Sequence, residues 1–341
     1  MSRVKTLWIR EPYLTQILAG RKTVEVRVNY PNIRRLQPGD RLRLNDRHLA
    51  VIRRIGSYAN FKELISGEDA TVIAPDGSPA ELLAALREIY PADKEALGAV
   101  ALEIAPCRYD AVLFDMGYTL VYFDPPREVI LQEALQSIGV ERSMAEIEAA
   151  LQEVWEKYYQ DAASASFPAT AEYDRQAQRE LDRQLLSALG LAADSSMVEV
   201  YHQAMDAWFS RPGVIRPYPE VIAVLTTLQE RGYRLGIISN WGWNLRRRVA
   251  QVGLDGFFEL IWASAYAGHN KPHPEIFCQA LAHMDLLPER ALYIGDSYHH
   301  DVVGARNAGM AVALVDRNGT ADCSDVPVIS DLQGVFHLLG E

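Results

Sequence analysis

The first group in this 341-residue chain that could do chemistry is a carboxylate at the end of a short apolar run. Residues 111–120 read A-V-L-F-D-M-G-Y-T-L, so Val112 to Phe114 ends in Asp115, and Gly117 and Thr119 follow at once. A buried parallel strand delivers a reactive group to its carboxyl end in this way, where open α/β sheets place their sites. Three further stretches fall at expected strand ends. Ser239 closes G-I-I-S-N, Lys271 sits in G-H-N-K-P-H-P-E, and Asp296 and Asp301 lie in G-D-S-Y-H-H-D after Leu292 to Ile294. A carboxylate nucleophile, a hydroxyl donor, a cation and an acidic cluster suit phosphoryl transfer through an aspartyl-phosphate. Asp115 and Asp296 offer the hard oxygens Mg2+ requires, with Asp301 adding to them directly or through water. Taken singly, each has an ordinary structural use: Asp115 or Ser239 as a helix cap, Lys271 at the surface, Asp296 in a turn. It is their occurrence together that carries the reading.

The elements that must position these groups follow from the pattern around them. From Ala111 onward short apolar runs alternate with helical periodicity, and strands are expected at Ala111, Arg234 to Ile238, Leu260 to Ala263, Ala291 to Ile294 and Ala311 to Val315. Helices are expected at Pro219 to Glu230, Leu245 to Val252, Pro274 to His283 and His299 to Ala308. That alternation predicts an α/β fold with a doubly wound parallel sheet. Between Asp124 and Arg216 there are almost no β-branched runs. Arg127 to Ile138, Ala145 to Tyr159, Ala171 to Leu189 and Met197 to Phe209 carry apolar residues at three and four spacing, which predicts an inserted bundle of four amphipathic helices.

The chain before Ala111 has another rhythm. Residues 4–10, Lys22 to Val28, Arg41 to Leu44, His48 to Gly56 and Ala99 to Ile104 read as strands, K-T-V-E-V-R-V alternating in period two. Helices are expected at Pro12 to Ala19, Phe61 to Ile65 and Glu81 to Tyr90. Strands without regular βαβ alternation predict a small mixed barrel. The expected domains are thus 1–106, a core of 107–123 with 217–341, and an insert of 124–216.

Composition bounds the function classes. The net charge of −11 is uneven: residues 1–62 hold 14 Lys and Arg against 4 Asp and Glu, while residues 108–341 carry a net −14. An acidic bulk argues against general nucleic-acid adhesion and leaves a basic N-terminal face, with Arg21, Lys22, Arg27, Arg34 and Arg35 able to neutralise phosphates. Cys107, Cys278 and Cys323 are scattered, so neither a disulfide framework nor a cysteine metal site is expected. The first ten residues carry no apolar signal core and no run could span a bilayer; a cytoplasmic protein is expected.

Two resemblances add to this reading. W-I-R-E-P-Y-L-T-Q-I-L-A-G-R-K-T-V-E-V-R, Q-P-G-D-R-L-R-L-N-D and the closing strand resemble an ASCH domain of the PUA-like barrel class over about residues 3–105. This implies a cleft for RNA or a modified nucleoside, with Lys22 and Arg27 near its mouth. Some members hydrolyse an acylated cytidine with a Lys, a Thr and a Glu; Lys22 matches, but Glu25 stands at the Thr and Pro75 near the Glu, so binding rather than catalysis is expected. I-S-N-W-G-W-N-L, A-G-H-N-K-P-H-P-E-I-F and Y-I-G-D-S-Y-H-H-D-V-V-G-A-R-N-A-G-M, with the Asp115 stretch, resemble the haloacid dehalogenase (HAD) superfamily over about 109–341, the insert resembling its helical cap. The resemblance implies a Mg2+-dependent hydrolase of a small phosphorylated metabolite. It implies Asp115, Lys271, Ser239 and Thr119 as catalytic groups and Ser239, Asn240, Lys271, Gly117 and Tyr118 as substrate contacts. The implied metal ligands are Asp115, the Gly117 carbonyl, Asp296 and Asp301.

One departure matters. Phosphatases of this superfamily usually carry a second Asp two residues after the nucleophile, as general acid and base, and here Gly117 stands there. Such help is typically worth ~10²–10⁴ in rate. Either a cap residue or Tyr118 supplies the proton, or the substrate has a leaving group that needs none, or the domain binds phosphate without turnover. In the last case the protein would be an RNA- or nucleotide-binding protein with a regulatory hydrolase half. A cap lysine forming a Schiff base, with Lys157 the one lysine of the insert, is a further reading. Trp241, Trp243, Tyr118 and Tyr122 are candidates to line the cleft, and His299 and His300 are expected at its polar rim.

Overall fold

The computed structural model describes residues 4–162 and 166–340; residues 1–3 and 341 of the expected domain limits, and 163–165 of the insert, lie outside the described residues. Two compact units form, the first taking the chain to Asp110 together with Glu230–Tyr233, the second comprising Ala111–Gln229 and the chain from Arg234 onward.

The first unit, expected as a small mixed barrel, is built on a mixed sheet of five strands. Its strands are β1 (Lys5–Leu7), β2 (Val24–Val28), β3 (Arg41–Leu44), β4 (His48–Tyr58) and β5 (Ala99–Pro106), in the order β1-β3-β4-β5-β2. Only β1 and β3 run parallel. The period-two pattern of β2 sends Val24, Val26 and Val28 into one core with Phe61 and Leu64. A second core gathers Leu14, Ile17, Leu42, Leu44 and Leu102. The helix Pro79–Ile89 opens on a reciprocal cap, in which Ser78 accepts from the Glu81 amide and the Glu81 carboxylate accepts from Ser78 N–H.

The second unit centres on a parallel sheet of six strands: β6 (Ala111–Phe114), β9 (Arg234–Ser239), β10 (Leu260–Ala263), β11 (Ala291–Gly295), β12 (Ala311–Val315) and β13 (Val328–Ile329), ordered β10-β9-β6-β11-β12-β13. β6 lies in the middle and is buried throughout, as strands covered on both faces must be. Its register pairs Phe114 with Ile237 of β9 and with Ile294 of β11, so Asp115, Ser239 and Asp296 leave neighbouring strands at the same edge. The two-residue edge strand β13 is not among the expected strands; so short an element has no periodicity to read.

Four helices form the insert: Arg127–Ser137, Met144–Ala162, Ala171–Ala188 and Ser195–Phe209. Their apolar faces meet in a core of Leu131, Leu135, Ile147, Leu186, Val198 and Tyr201. The antiparallel pair β7 (Val121–Phe123) and β8 (Ile215–Pro217) stands where the chain enters and leaves this bundle. The expected helix His299 to Ala308 is instead a π-helical segment, Tyr298–Val303, running into the helical turn Gly304–Asn307. The wider turn is capped from within: Ser297 N–H donates to Asp301 Oδ2 at 2.9 Å, and Asp301 N–H to the Ser297 carbonyl. Single π turns of this kind are frequent at functional sites.

Candidate active site

Two strand ends and two later segments converge on one carboxylate. Asp115 and Ser239 stand at the ends of β6 and β9, and Asp301 lies in the π-helical segment. Lys271, expected at a strand end, comes instead from the loop after the helical turn Ser264–Ala267. Asp115, Ser239, Lys271 and Asp301 are all buried. Oδ1 of Asp115 accepts from Ser239 Oγ at 2.8 Å and from Lys271 Nζ at 2.5 Å. Lys271 Nζ also donates to Asp301 Oδ1 at 2.6 Å and to the Tyr293 hydroxyl at 3.1 Å. Asp296 is the acidic group that reaches solvent, and Thr119 Oγ1 donates to its Oδ1 at 3.3 Å. Oxygens of Asp115, Asp296 and Asp301, one from each, lie within 4.8 Å of one another.

The electrostatics follow from that crowding. Burial, reinforced by Asp115 and Asp301, pushes the Asp296 carboxyl up to about 8. Burial likewise raises Asp115 against the pull of Lys271. For Lys271, burial disfavours the cation, but Asp115 and Asp301 outweigh it and hold the ammonium charged. Three carboxylates against one ammonium leave an excess of negative charge that a divalent cation relieves. Their hard oxygens fit Mg2+, although Asp301 already accepts hydrogen bonds at both oxygens.

A cavity of about 710 Å3 opens over these groups, bounded by the core on one side and the helical insert on the other. Asp115, Gly117, Tyr118, Ser239, Asn240, Lys271, Asp296 and Asp301 line it. Other predicted residues fall elsewhere. Thr119 is wholly buried and does not line the cavity, so it orients Asp296 rather than meeting substrate. Asn240 lines the cavity, yet its side chain is spent on a neighbour: Oδ1 accepts from Lys271 N–H at 2.7 Å, and Nδ2 donates to the Lys271 carbonyl at 3.0 Å. It clamps the lysine's backbone. Trp241 lines the cavity; Trp243 and Tyr122 do not, and Tyr122 packs against Tyr218. His300, expected at the polar rim, is part of the lining, where burial lowers its imidazole to about 4, whereas His299 is exposed. Lys157 is exposed and absent from the lining, which removes the support for a Schiff base.

The N-terminal expectation is also corrected. Lys22 is buried; its Nζ pairs with Glu25 at 3.1 Å and donates to the carbonyls of Val24 and Ile73. Arg27 pairs with the same Glu25 and donates to the Trp8 carbonyl at 2.6 Å. Their donors serve the protein's own oxygens instead of standing at the mouth of a phosphate cleft. Tyr293 is the site residue that sequence reading missed. Its ring fills the apolar strand A-L-Y-I-G, and its hydroxyl lies 2.8 Å from the Ile238 carbonyl and 3.0 Å from Asp301 Oδ1. The signal was available: a Tyr inside a buried strand has to find a partner for its hydroxyl.

A family model described as haloacid dehalogenase-like hydrolase matches residues 112–315, and one described as ASCH domain matches residues 7–108. Glyceraldehyde 3-phosphate phosphatase of Methanothermobacter thermautotrophicus is 32% identical over 172 residues, covering 46% of this chain and 68% of that protein. Phosphoserine phosphatase of Thermus thermophilus is 27% identical over 250 residues, covering 66% of this chain and 97% of that protein. The solved structure of the HAD-hydrolase YfnB from Bacillus subtilis, bound to magnesium, shares the fold with a TM-score of 0.55 at 20% identity, covering 69% of this chain and all of that one. No helix among the described residues is long and apolar enough to cross a membrane. The chain belongs to the haloacid dehalogenase-like hydrolases, as an enzyme whose named relatives are phosphatases, and it carries an ASCH domain ahead of its hydrolase half.

Proposed function

We infer that this protein is a Mg2+-dependent phosphohydrolase acting on a small phosphorylated metabolite through an aspartyl-phosphate on Asp115. The observation that carries the reading is the double hold on Oδ1 of Asp115, by Ser239 Oγ at 2.8 Å and Lys271 Nζ at 2.5 Å, beside two further carboxylates. With Oδ1 so held, Oδ2 is the oxygen that attacks phosphorus. The ester bond breaks, and its electron pair leaves on the alcohol oxygen. A water oxygen then attacks the phosphorus of the acyl phosphate, releasing inorganic phosphate and restoring Asp115. Lys271 faces the carboxylate and the phosphoryl oxygens as a fixed cation, and Ser239 orients them. Asp115, the Gly117 carbonyl, Asp296 and Asp301 would hold Mg2+, which supplies charge compensation for the phosphoryl group.

The test is release of phosphate from a panel of phosphomonoesters and acyl phosphates with Mg2+ present. Turnover abolished in Asp115→Asn is expected; a panel without any turnover that depends on Asp115 refutes the proposal. A second proposal concerns the ASCH domain, which binds RNA or a nucleotide. Exposed Arg10, Arg34, Arg35 and Arg53 favour it, now in place of Lys22 and Arg27. Salt-dependent RNA binding weakened by Arg34→Ala with Arg35→Ala is the expected result.

A further inference from the structure

Two independent features of the cavity bear on the alcohol that leaves. The first is chemical. Position 117 carries no carboxyl, and the space beside it is not open water: a Cβ placed on Gly117 would lie 3.8 Å from Cζ3 of the Trp241 indole. The reacting centre therefore adjoins an aromatic ring where an acid would protonate a departing oxygen. The second is the character of the cavity. Among the described residues, nine of the forty that line it are Phe, Trp or Tyr, against 9% of the chain. They include Trp155 and Phe167 on the insert's side and Trp241 on the core's. The Phe167 and Tyr173 rings stack at 5.4 Å and an interplanar angle of 12°.

The insert's carboxylates that reach the cavity are already engaged. Asp182 pairs with His202 at 2.7 Å, Asp206 with Arg248 at 3.0 Å, and Asp174 accepts from Trp243 N–H at 3.0 Å. A polyhydroxylated leaving group would find the insert's carboxylates already paired, with Asn270 Oδ1 left as an unpartnered acceptor, and would otherwise face aromatic rings. A planar apolar group would stack on those rings.

Resting on the phosphohydrolase reading above, we propose that the substrate class is the phosphate monoester of an aromatic alcohol, an aryl phosphate whose ring sits in the aromatic cavity. The two features then have one cause. A phenol has a pKa of about 10, as a Tyr side chain has, against nearly 16 for water. An aryloxide can leave with the electron pair of the broken P–O bond and take its proton from solvent afterwards, so the missing acid costs little. An alkoxide, whose parent alcohol is close to water in acidity, cannot leave so readily. Inorganic diphosphate as substrate also expels its leaving group, phosphate, without a proton, but it has no use for rings.

The experiment uses the full chain with Mg2+ and compares phenyl and 2-naphthyl phosphate with cyclohexyl phosphate, which matches phenyl phosphate in bulk and differs in leaving-group acidity. The expected kcat/KM is at least ~10²-fold higher for the aryl esters, the order of effect that general acid help otherwise supplies. Gly117→Asp, whose Cβ the 3.8 Å clearance admits, is expected to narrow that ratio by at least ~10-fold. Trp155→Leu and Phe167→Leu are each expected to raise KM for 2-naphthyl phosphate about 3- to 10-fold while inhibition by inorganic phosphate stays unchanged. A ratio below ~10-fold, with turnover still abolished by Asp115→Asn, overturns the aryl assignment and leaves the phosphohydrolase reading standing. Unchanged KM in both aromatic variants overturns the assignment as well. No Asp115-dependent turnover on any ester overturns both.

Discussion

At the scale of single residues, the supporting groups decide as much as the charged ones. Asn240 holds Lys271 by its amide and its carbonyl, at 2.7 and 3.0 Å, fixing the backbone from which the ammonium reaches Asp115. Asn240→Ala removes two hydrogen bonds, worth about 1 kcal/mol each in stability. The larger effect is expected in kcat, a fall of about 10²-fold through loss of positioning, measured by steady-state kinetics beside a urea titration. Lys22 poses the opposite case, since it resembles a binding residue and behaves as a structural one. Lys22→Ala strands the buried Glu25 with Arg27 as its remaining cation, and a loss of about 3 kcal/mol in equilibrium unfolding is expected. The crowded carboxylates yield a third prediction. Asp296→Asn relieves repulsion from Asp115 and Asp301, so without metal this variant is expected to melt above the wild type. The wild type alone should gain from Mg2+, by about 2.7 kcal/mol at a hundredfold excess over Kd. A calorimetric scan of both proteins, with and without Mg2+, checks both signs.

At the scale of elements, the parallel sheet aligns the polar groups and the π-helical segment aims the last of them. Strands β9, β6 and β11 end in register, so a one-residue slip of any of them would turn its terminal polar group to the opposite face. Where β11 ends, the π-helical segment packs tightly against the strand, and Gly295 makes this possible. A Cβ there would lie 2.2 Å from Cγ of Asp301, closer than any real contact, so Asp301 packs where only a glycine leaves room. Gly295→Ala is expected to displace Asp301 and its hold on Lys271. The outcome should be loss of the Mg2+-dependent rise in melting temperature and of most turnover, read by calorimetry and kinetics on the same sample. The helical insert contributes Trp155, Phe167 and Tyr173 to the cavity, facing Trp241 of the core.

At the scale of the whole molecule, every candidate catalytic and metal group belongs to the second unit. A chain beginning at residue 108 is therefore expected to keep the full-length kcat per folded molecule, and active-site titration with kinetics would show it. Much of the hydrolase half was legible in the sequence because its signals are local. A strand buried on both faces must be continuously apolar, and a polar residue ending such a run stands out, as Asp115, Ser239 and Asp296 do. The same logic made the four insert helices readable from their spacing. What sequence could not yield was partnership across long separations. Nothing near Lys22 announces that the Ile73 carbonyl will accept from its ammonium, and nothing near Asn240 that it will clamp the backbone of Lys271. Thr119 and Tyr293 likewise acquire their roles only when β6 and β11 lie side by side. The sequence by itself determined which residues could react and which strands would carry them, because apolar periodicity and chemical type are properties of short stretches. Only the tertiary structure decided which of them are free to meet a substrate, because hydrogen bonds and burial are set by the neighbours that folding brings together.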